Sequence, residues 1–167
     1  MTTHINSTTA LTAVNIKTNP VSINNGDFRF RLSATFEGTV TLLRKASKVN
    51  ELQRNSGTHT AADGQAAMTD STLVGVVADE LIGMWIRNNT DNSMGPITDN
   101  TATVITATLA GGTQNDWDTG EAWDLWDVIG EYTDAQHLLV EEVEDVGEYI
   151  AVMSAYTSGT ARATISK

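Results

Sequence analysis

The residues best placed to do chemistry lie in GGTQNDWDTGEAWD, residues 111–124, where aspartates alternate with tryptophans between glycines. Three readings are open to such a stretch. A cation could be held by Asp116, Asp118 and Glu121, a sugar could stack on Trp117 or Trp123, or the acids could simply end strands and cap turns. A calcium loop of the helix-loop-helix type needs oxygen ligands at positions 1, 3 and 5, glycine at 6 and a carboxylate at 12. Counted from Asp116, position 3 is Asp118, but position 5 is Gly120 and position 6 is Glu121. The register fails. What remains is an irregular grouping of Asp116, Asp118 and Glu121, set against plain turn-capping carboxylates, and no metal or cofactor is assigned.

Sugar stacking needs exposed rings. Trp85, Trp117, Trp123 and Trp126 all fall in the middle of the chain, where a small β unit would need large side chains to build a core. Trp123 shares strand parity with Leu125, and Trp126 shares it with Asp124. One of the two is therefore expected inside and the other outward or toward a partner. For catalysis there is less. His4, His59 and His137 are scattered, with no neighbouring nucleophile, and His59 reads as a surface residue. No phosphate-binding glycine loop, nucleophile elbow or HExxH occurs. Glu141-Glu142 and Glu144-Asp145 read as solvated strand edge and turn, because paired carboxylates do acid–base work only inside a cleft. No catalytic residue is assigned, and the chain is not expected to be an enzyme.

The elements that would position these residues are strands. DFRFRLSATF, residues 27–36, alternates strictly: Phe28, Phe30, Leu32, Ala34 and Phe36 against Arg29, Arg31, Ser33 and Thr35. Asn25-Gly26 before it and Glu37-Gly38 after it have turn chemistry, which predicts a three-strand meander ending in TVTLLR. The C-terminal part repeats the pattern. HLLVEEV, EYIAVMSAY and TARATIS are expected as three strands joined by turns at Asp145–Gly147 and Ser158-Gly159. Tyr149, Ala151, Met153 and Ala155 share one face of the middle strand, with Ile150, Val152 and Tyr156 on the other, so it should be central. Between these parts, LVGVV, LIGMWI, TATVITATL and EAWDLWDVI read as short strands, with RNNTDNSMGPITDN and AGGTQNDWDTG as connections. Residues 46–72 are polar, with Leu43, Ala46, Val49 and Leu52 spaced for a weak helix.

Composition agrees. Among 167 residues there are 25 threonines, two prolines and no cysteine. β-Branched side chains suit a pleated surface, and the missing thiols remove disulfides and thiolate metal sites. The formal charge is −11, and no Lys or Arg occurs between Arg87 and Arg162. Such a balance repels phosphate backbones, so direct nucleic-acid binding is not expected. The acidic excess reads as a source of solubility. No apolar run approaches the roughly 18 residues that cross a bilayer, and MTTHINSTTALTAV lacks a secretory pattern. No membrane partner is expected, and the chain should remain in the cytoplasm where it is made unless something larger carries it out.

Two pieces carry a family likeness. FEGTVTLLRKAS, together with the stretch from Trp126 to Lys167, resembles small β-sandwich structural proteins of tailed bacteriophages. The opening piece rests on Phe36, Gly38, Thr39, Val40, Leu42 and Arg44. The closing piece rests on Tyr149, Tyr156, Thr157, Ser158, Gly159 and Thr160. Residues 78–126 resemble a short β motif that recurs in phage particle proteins, closely through GGTQNDWDTGEAW and less so at Asn89-Thr90-Asp91. The likeness covers about residues 27–47 and 79–167. It implies a virion structural role and supplies no catalytic residues.

The chain departs from the commoner sandwich members by its length between Arg44 and Trp126. The expectation is therefore an all-β protein, an antiparallel β-sandwich with a small β unit inserted in one loop. Residues 1–45 and 127–167 would form a discontinuous sandwich, and 46–126 an inserted polar linker plus small β unit. Insertions of this kind are tolerated at loop tips, where the core need not change. The expected role is a capsid decoration or cement protein on the outer head surface, since an acidic subunit lines packaged DNA poorly. Alternatives are a tail or neck component, or a glycan-binding module displayed on the particle. Expected partners are other virion proteins, above all the major capsid protein, and further copies of the chain in an oligomer. The expected location is the virion, assembled in the host cytoplasm.

Overall fold

The computed structural model describes residues 6–33, 35–47, 55–73 and 75–167. Among them no helix occurs, and the regular structure is antiparallel β. The strands are β1 (Asn6–Leu11), β2 (Val21–Ser33), β3 (Phe36–Lys45), β4 (Ser56–Thr58), β5 (Ala67–Thr69), β6 (Trp85–Asn88), β7 (Met94–Asn100), β8 (Val104–Ala107), β9 (Ala122–Tyr132), β10 (Gln136–Gly159) and β11 (Ala161–Ser166). The chain divides into two compact units, Met1–Arg44 with Val128–Lys167, and Lys45–Asp127.

The first unit is sandwich-like. Its strands run in the order β1-β11-β2-β10-β3. β10 pairs with β2 from Gln136 to Tyr149, then with β3 from Tyr149 to Gly159. One long strand thus changes partner at Tyr149. The alternation of residues 28–32 survives intact: Phe28, Phe30 and Leu32 are buried while Arg29 and Arg31 are exposed. These apolar side chains meet Val40 and Leu42 of β3, Tyr149, Ala151 and Met153 of β10, and Ala161, Ala163 and Ile165 of β11 in one core.

The meander does not form. β2 and β3 both pair with β10, so β10 is the central strand. Asn25-Gly26 is not a hairpin turn either, for β2 runs through it. Gly26 keeps the positive φ (111°) that its turn chemistry allows, but uses it inside a ladder. Opposite it, the register jumps from Glu142 to Val146, so the turn expected at Asp145–Gly147 is a bulge in β10. HLLVEEV and EYIAVMSAY are therefore one strand. Glu37-Gly38 likewise lies within β3. A Cβ on Gly38 would sit 2.2 Å from the Ala155 carbonyl oxygen, at the register shift between Met153 and Ala155. That shift also reverses parity: Ala155 is exposed, and Tyr156 packs against the core instead. The turn expected at Ser158-Gly159 is likewise the end of β10: Ser158 pairs with Glu37 and Gly159, at φ 87°, with Phe36. β11 follows after Thr160, beside β2 rather than β10.

The second unit is built differently. Its strands β4 to β8 span three to seven residues, ordered β6-β7-β8-β5 beyond β9, with β4 also pairing β9. Residues 73–77, expected as a strand, contain none among those described. β7 occupies part of the RNNTDNSMGPITDN connection, where polar residues and Pro96 masked it. Trp117, Trp123, Ile86, Leu81, Met68, Ile105 and Leu125 are the heart of its core. Val49 and Leu52 of the weak helical pattern lie outside the described residues.

Candidate functional site

The 111–121 segment is a closed loop, pinned at both sides within the second unit. Bridging between β7 and the chain beyond β8 ends at Ala110, paired with Met94. Gly111 then turns at φ 79°, Asn115 at 65° and Gly120 at 92°, before β9 begins at Ala122. Gly112 has a separate reason: an added Cβ would lie 2.7 Å from Asp91 Oδ2 and from Ser93. Backbone bonds tie the loop to residues 59–65. Gln65 and Trp117 exchange both of theirs (3.0 and 2.9 Å), and Gly120 N donates to His59 O (2.9 Å).

The acids of this loop face amides. Glu121 Oε2 accepts from Asn88 Nδ2 (2.6 Å) and from the Asp118 amide (2.8 Å). Asp118 Oδ1 accepts from Gly64 N (2.9 Å), while Asp63 Oδ1 accepts from Thr119 N (2.8 Å), a reciprocal clasp between two segments. Asp116 contributes its carbonyl, which accepts from Asn88 Nδ2 (3.1 Å). Asp116, Asp118 and Glu121 do not converge, and no group of three His, Asp or Glu side chains among the described residues could hold a metal ion.

Two further carboxylates, which the sequence reading passed over, organise the neighbourhood. Asp91 Oδ1 accepts from the Ser93 amide and hydroxyl (2.7 and 2.6 Å), and its Oδ2 from Asn115 N (2.8 Å) and Gln114 N (3.3 Å). Asp70 Oδ1 accepts from the Thr72 amide and hydroxyl (2.8 and 2.7 Å), and its Oδ2 from Trp123 Nε1 (3.2 Å) and Thr58 N (3.3 Å). Burial alone would push both carboxyls up. The donors win, and both are held below the ordinary value of 3.8, led by Thr72 at Asp70 and Ser93 at Asp91. Asp63 is also lowered, chiefly by the Thr119 amide. A legible signal existed. Asp70-Ser-Thr72, Asp91-Asn-Ser93 and Asn88-Asn-Thr90 are three copies of an Asx-x-Ser/Thr turn.

The tryptophans are core. Trp117, Trp123 and Trp126 are fully buried, and Trp85 nearly so. Trp126 shares its side of β9 with Asp124, as parity predicts, and lies apart from the core cluster of Trp123 and Leu125. It is nevertheless buried instead of outward: its Nε1 donates to buried Asp124 (2.7 Å), whose other oxygen pairs with Lys45 (3.1 Å). None of the four offers a ring face to a sugar. His59 is buried rather than on the surface: Nδ1 accepts from Thr69 N (2.9 Å), leaving the ring proton for Nε2, which faces the Ala62 carbonyl. His137 is exposed on β10 of the first unit, and His4 lies outside the described residues.

The Glu141-Glu142 pair also divides. Glu141 is exposed, but Glu142 is buried at the β10 bulge, gripped by Arg44 through two bonds of 3.0 Å and by the Tyr149 hydroxyl (3.1 Å). Burial, then the Glu142 charge, pushes the Tyr149 phenol up to about 12, against a smaller opposing effect of Arg44. Parity with Leu138 and Val140 places Glu142 inward, a signal readable in the sequence. Gly147 makes room for it, since a Cβ there would lie 1.6 Å from Glu142 Oε2. The side chains of Glu144 and Asp145 lie outside what is described.

At Asp70, Asp91 and Glu142 both carboxylate oxygens already receive protein donors. Such an arrangement fixes loops and strand ends. No protein-family model, curated protein or solved structure matches the chain.

Proposed function

We propose that the chain is a virion structural protein of a tailed bacteriophage, a capsid decoration or cement protein on the outer head surface. One observation carries the reading. The two phage-like sequence pieces, remote in the chain, form a single ladder in which Phe36 pairs with Gly159, Gly38 with Tyr156 and Arg44 with Tyr149. The residues behind the resemblance are thus the ones that close the first unit. The self-satisfied loop at 111–121 supports a scaffold rather than a reaction. The protein acts by binding across neighbouring copies of the major capsid protein, together with further copies of itself. Because it binds the assembled shell and not free subunits, it stabilises the shell by mass action.

The test is where the polypeptide sits. Mass spectrometry of purified particles should find it, and a reconstruction should place its density on the outer head. Density in the tail or neck would move the protein to that position in the particle. Absence from purified particles would sink the reading.

A further inference from the structure

The outer face of β2, β10 and β11 departs from the chain's charge balance. Register places Leu139, Arg29 and Ser166 in one row across the three strands, and His137, Arg31 and Thr164 in the next. Arg162 follows beside Ser33. Arg29, Arg31, His137 and Arg162 are all exposed, as is Lys167, so four of the chain's ten Lys and Arg crowd onto this face. Arg29, Arg31 and Arg162 form no ion pair among the described residues. In their midst Leu139 is 66% exposed, beside an open groove of about 490 Å³ lined by Asp27, Phe28, Arg29, Leu139, Ser166 and Lys167. Exposed Asp27 and Glu141 form the row beyond Leu139 and Arg29, so the rim of this apolar centre is basic on the side of Arg31, His137 and Arg162. An apolar centre with a charged rim is the anatomy of a docking surface.

The same chain carries the complement. In the second unit, Val77 (67% exposed) and Ile82 (51%) project from a loop beside exposed Asp79 and Glu80. The loop is pre-shaped. Asn100 Nδ2 donates to Val77 O (2.8 Å), its Oδ1 accepts from Leu81 N (2.9 Å), and its carbonyl accepts from Asp79 N (3.0 Å). Exposed Asp99 adjoins it in β7. The unit that holds this loop, Lys45–Asp127, has twelve acids against four bases.

We propose that the β2–β10–β11 face of one copy takes the acidic 77–82 loop of a second copy. Val77 and Ile82 cover Leu139, while Asp79, Glu80 and Asp99 meet Arg29, Arg31 and Arg162. The two surfaces differ, so the contact is heterologous. It propagates from copy to copy and closes into a ring where the rotation allows. A nucleic acid would satisfy the arginines but leave Leu139, Val77 and Ile82 uncovered. This inference rests on the particle reading for its repeated copies, and names the neighbour within it.

Sedimentation velocity on the full chain tests it. The wild type should self-associate with rising concentration, and less so at about 1 M salt. Arg29→Glu/Arg31→Glu, and separately Glu80→Lys/Asp99→Lys, should each weaken association at least about tenfold. Mixing the two variants should restore it, because the reversed charges match again. Leu139→Asp and Asp99→Lys alone guard against a variant that fails to fold, with tryptophan emission as the check. A wild type that stays monomeric, or association indifferent to both reversals, overturns the proposal. So does retardation of a DNA duplex that Arg29→Glu/Arg31→Glu abolishes, which would give the face to a polyanion. A monomer that is nonetheless found on particles removes this contact and leaves the particle reading standing. Self-association through these residues, with no chain on particles, does the reverse.

Discussion

The two units solve one problem with different materials. All four tryptophans lie in Lys45–Asp127, while all three tyrosines and all three phenylalanines lie in the other unit. Strand length accounts for the difference. β2, β3 and β10 run for 13, 10 and 24 residues, so ladder partners satisfy most of their backbone and inward alternation fills the core. In the second unit β4 to β8 span seven residues at most, and much of the backbone lies outside any ladder. Its amides are met instead by Asp63, Asp70, Asn88, Asp91, Asn100, Asp118 and Glu121, and its core is filled by wide indole rings, Trp117 from a loop and Trp123 from β9. Part of the acidity that reads as solubility in the sequence is therefore scaffold: Asp70, Asp91, Glu121 and Asp124 are buried.

The sharpest way to break this contrast is to remove an indole. Trp117→Ala or Trp123→Ala should cost about 4 kcal/mol, because each empties a fully buried site that its neighbours only partly collapse to fill. Urea denaturation followed by the remaining tryptophans reports the second unit, and tyrosine absorbance reports the first. A downward shift in the tryptophan-monitored midpoint with an unmoved tyrosine-monitored midpoint is expected. One joint transition, shifted equally by both probes, would show that the two units are not separate cooperative blocks.

In the first unit the matching weak point is polar. Arg44→Met strands Glu142 in the core without its guanidinium, at a cost of about 3 kcal/mol. Replacing both, as Arg44→Met/Glu142→Leu, should recover most of that loss, since the pair's desolvation offsets much of its attraction. A double mutant as unstable as the single one would mean that the bulge itself needs the pair. Tyrosine-monitored denaturation reads the difference.

What was legible followed from local repetition. The 28–32 alternation and the all-β class rest on short-range chemistry that long-range pairing did not alter. Positive-φ glycines were found correctly but assigned the wrong use. Gly26 tolerates a hairpin turn and a ladder kink equally, and only the opposing bulge at Glu142–Val146 decides between them. Gly38 and the parity reversal at Ala155 are the same lesson, for a bulge is a property of two strands at once. At the 111–121 loop, residue types alone could not separate metal ligands from amide acceptors. The difference lies in partners more than 50 residues away, Asp63 and Gly64.

Acid and alkali should separate the units again. Asp70 and Asp91 are held below 3.8 when folded. The stability they add is present above that value and lost as pH falls below it, because the unfolded chain then takes up protons first. Tyr149, raised to about 12, and Tyr132, raised by burial, have the opposite sign. Their share is intact below the ordinary 10 and fades as pH climbs through the folded value. Tryptophan emission should therefore report loss first in acid, and tyrosine signals first in alkali. Asp91→Ala, which orphans amides at Ser93, Gln114 and Asn115, should cost about 2 kcal/mol at neutral pH and flatten the acid response. An unchanged acid midpoint would show that other carboxylates dominate it.

The smallest effect tests whether loop shape in the second unit rests on strain or on contact. Gly64 sits at φ 72° with nothing within 4 Å of an added Cβ, so Gly64→Ala pays only the left-handed penalty of about 1 kcal/mol. Gly57 is the opposite kind of site, where the added carbon would press to 2.3 Å from Asp70 Oδ2 and 2.7 Å from the Trp123 ring. Since the Gly64 amide also donates to Asp118, a loss much larger than that penalty would mean the alanine had pulled the amide out of line and released the Asp63–Asp118 clasp. A loss near 1 kcal/mol, with tryptophan emission unmoved, would mean the clasp holds the backbone against the strain. The carboxylate contacts, more than glycine's freedom, would then be what shapes this unit.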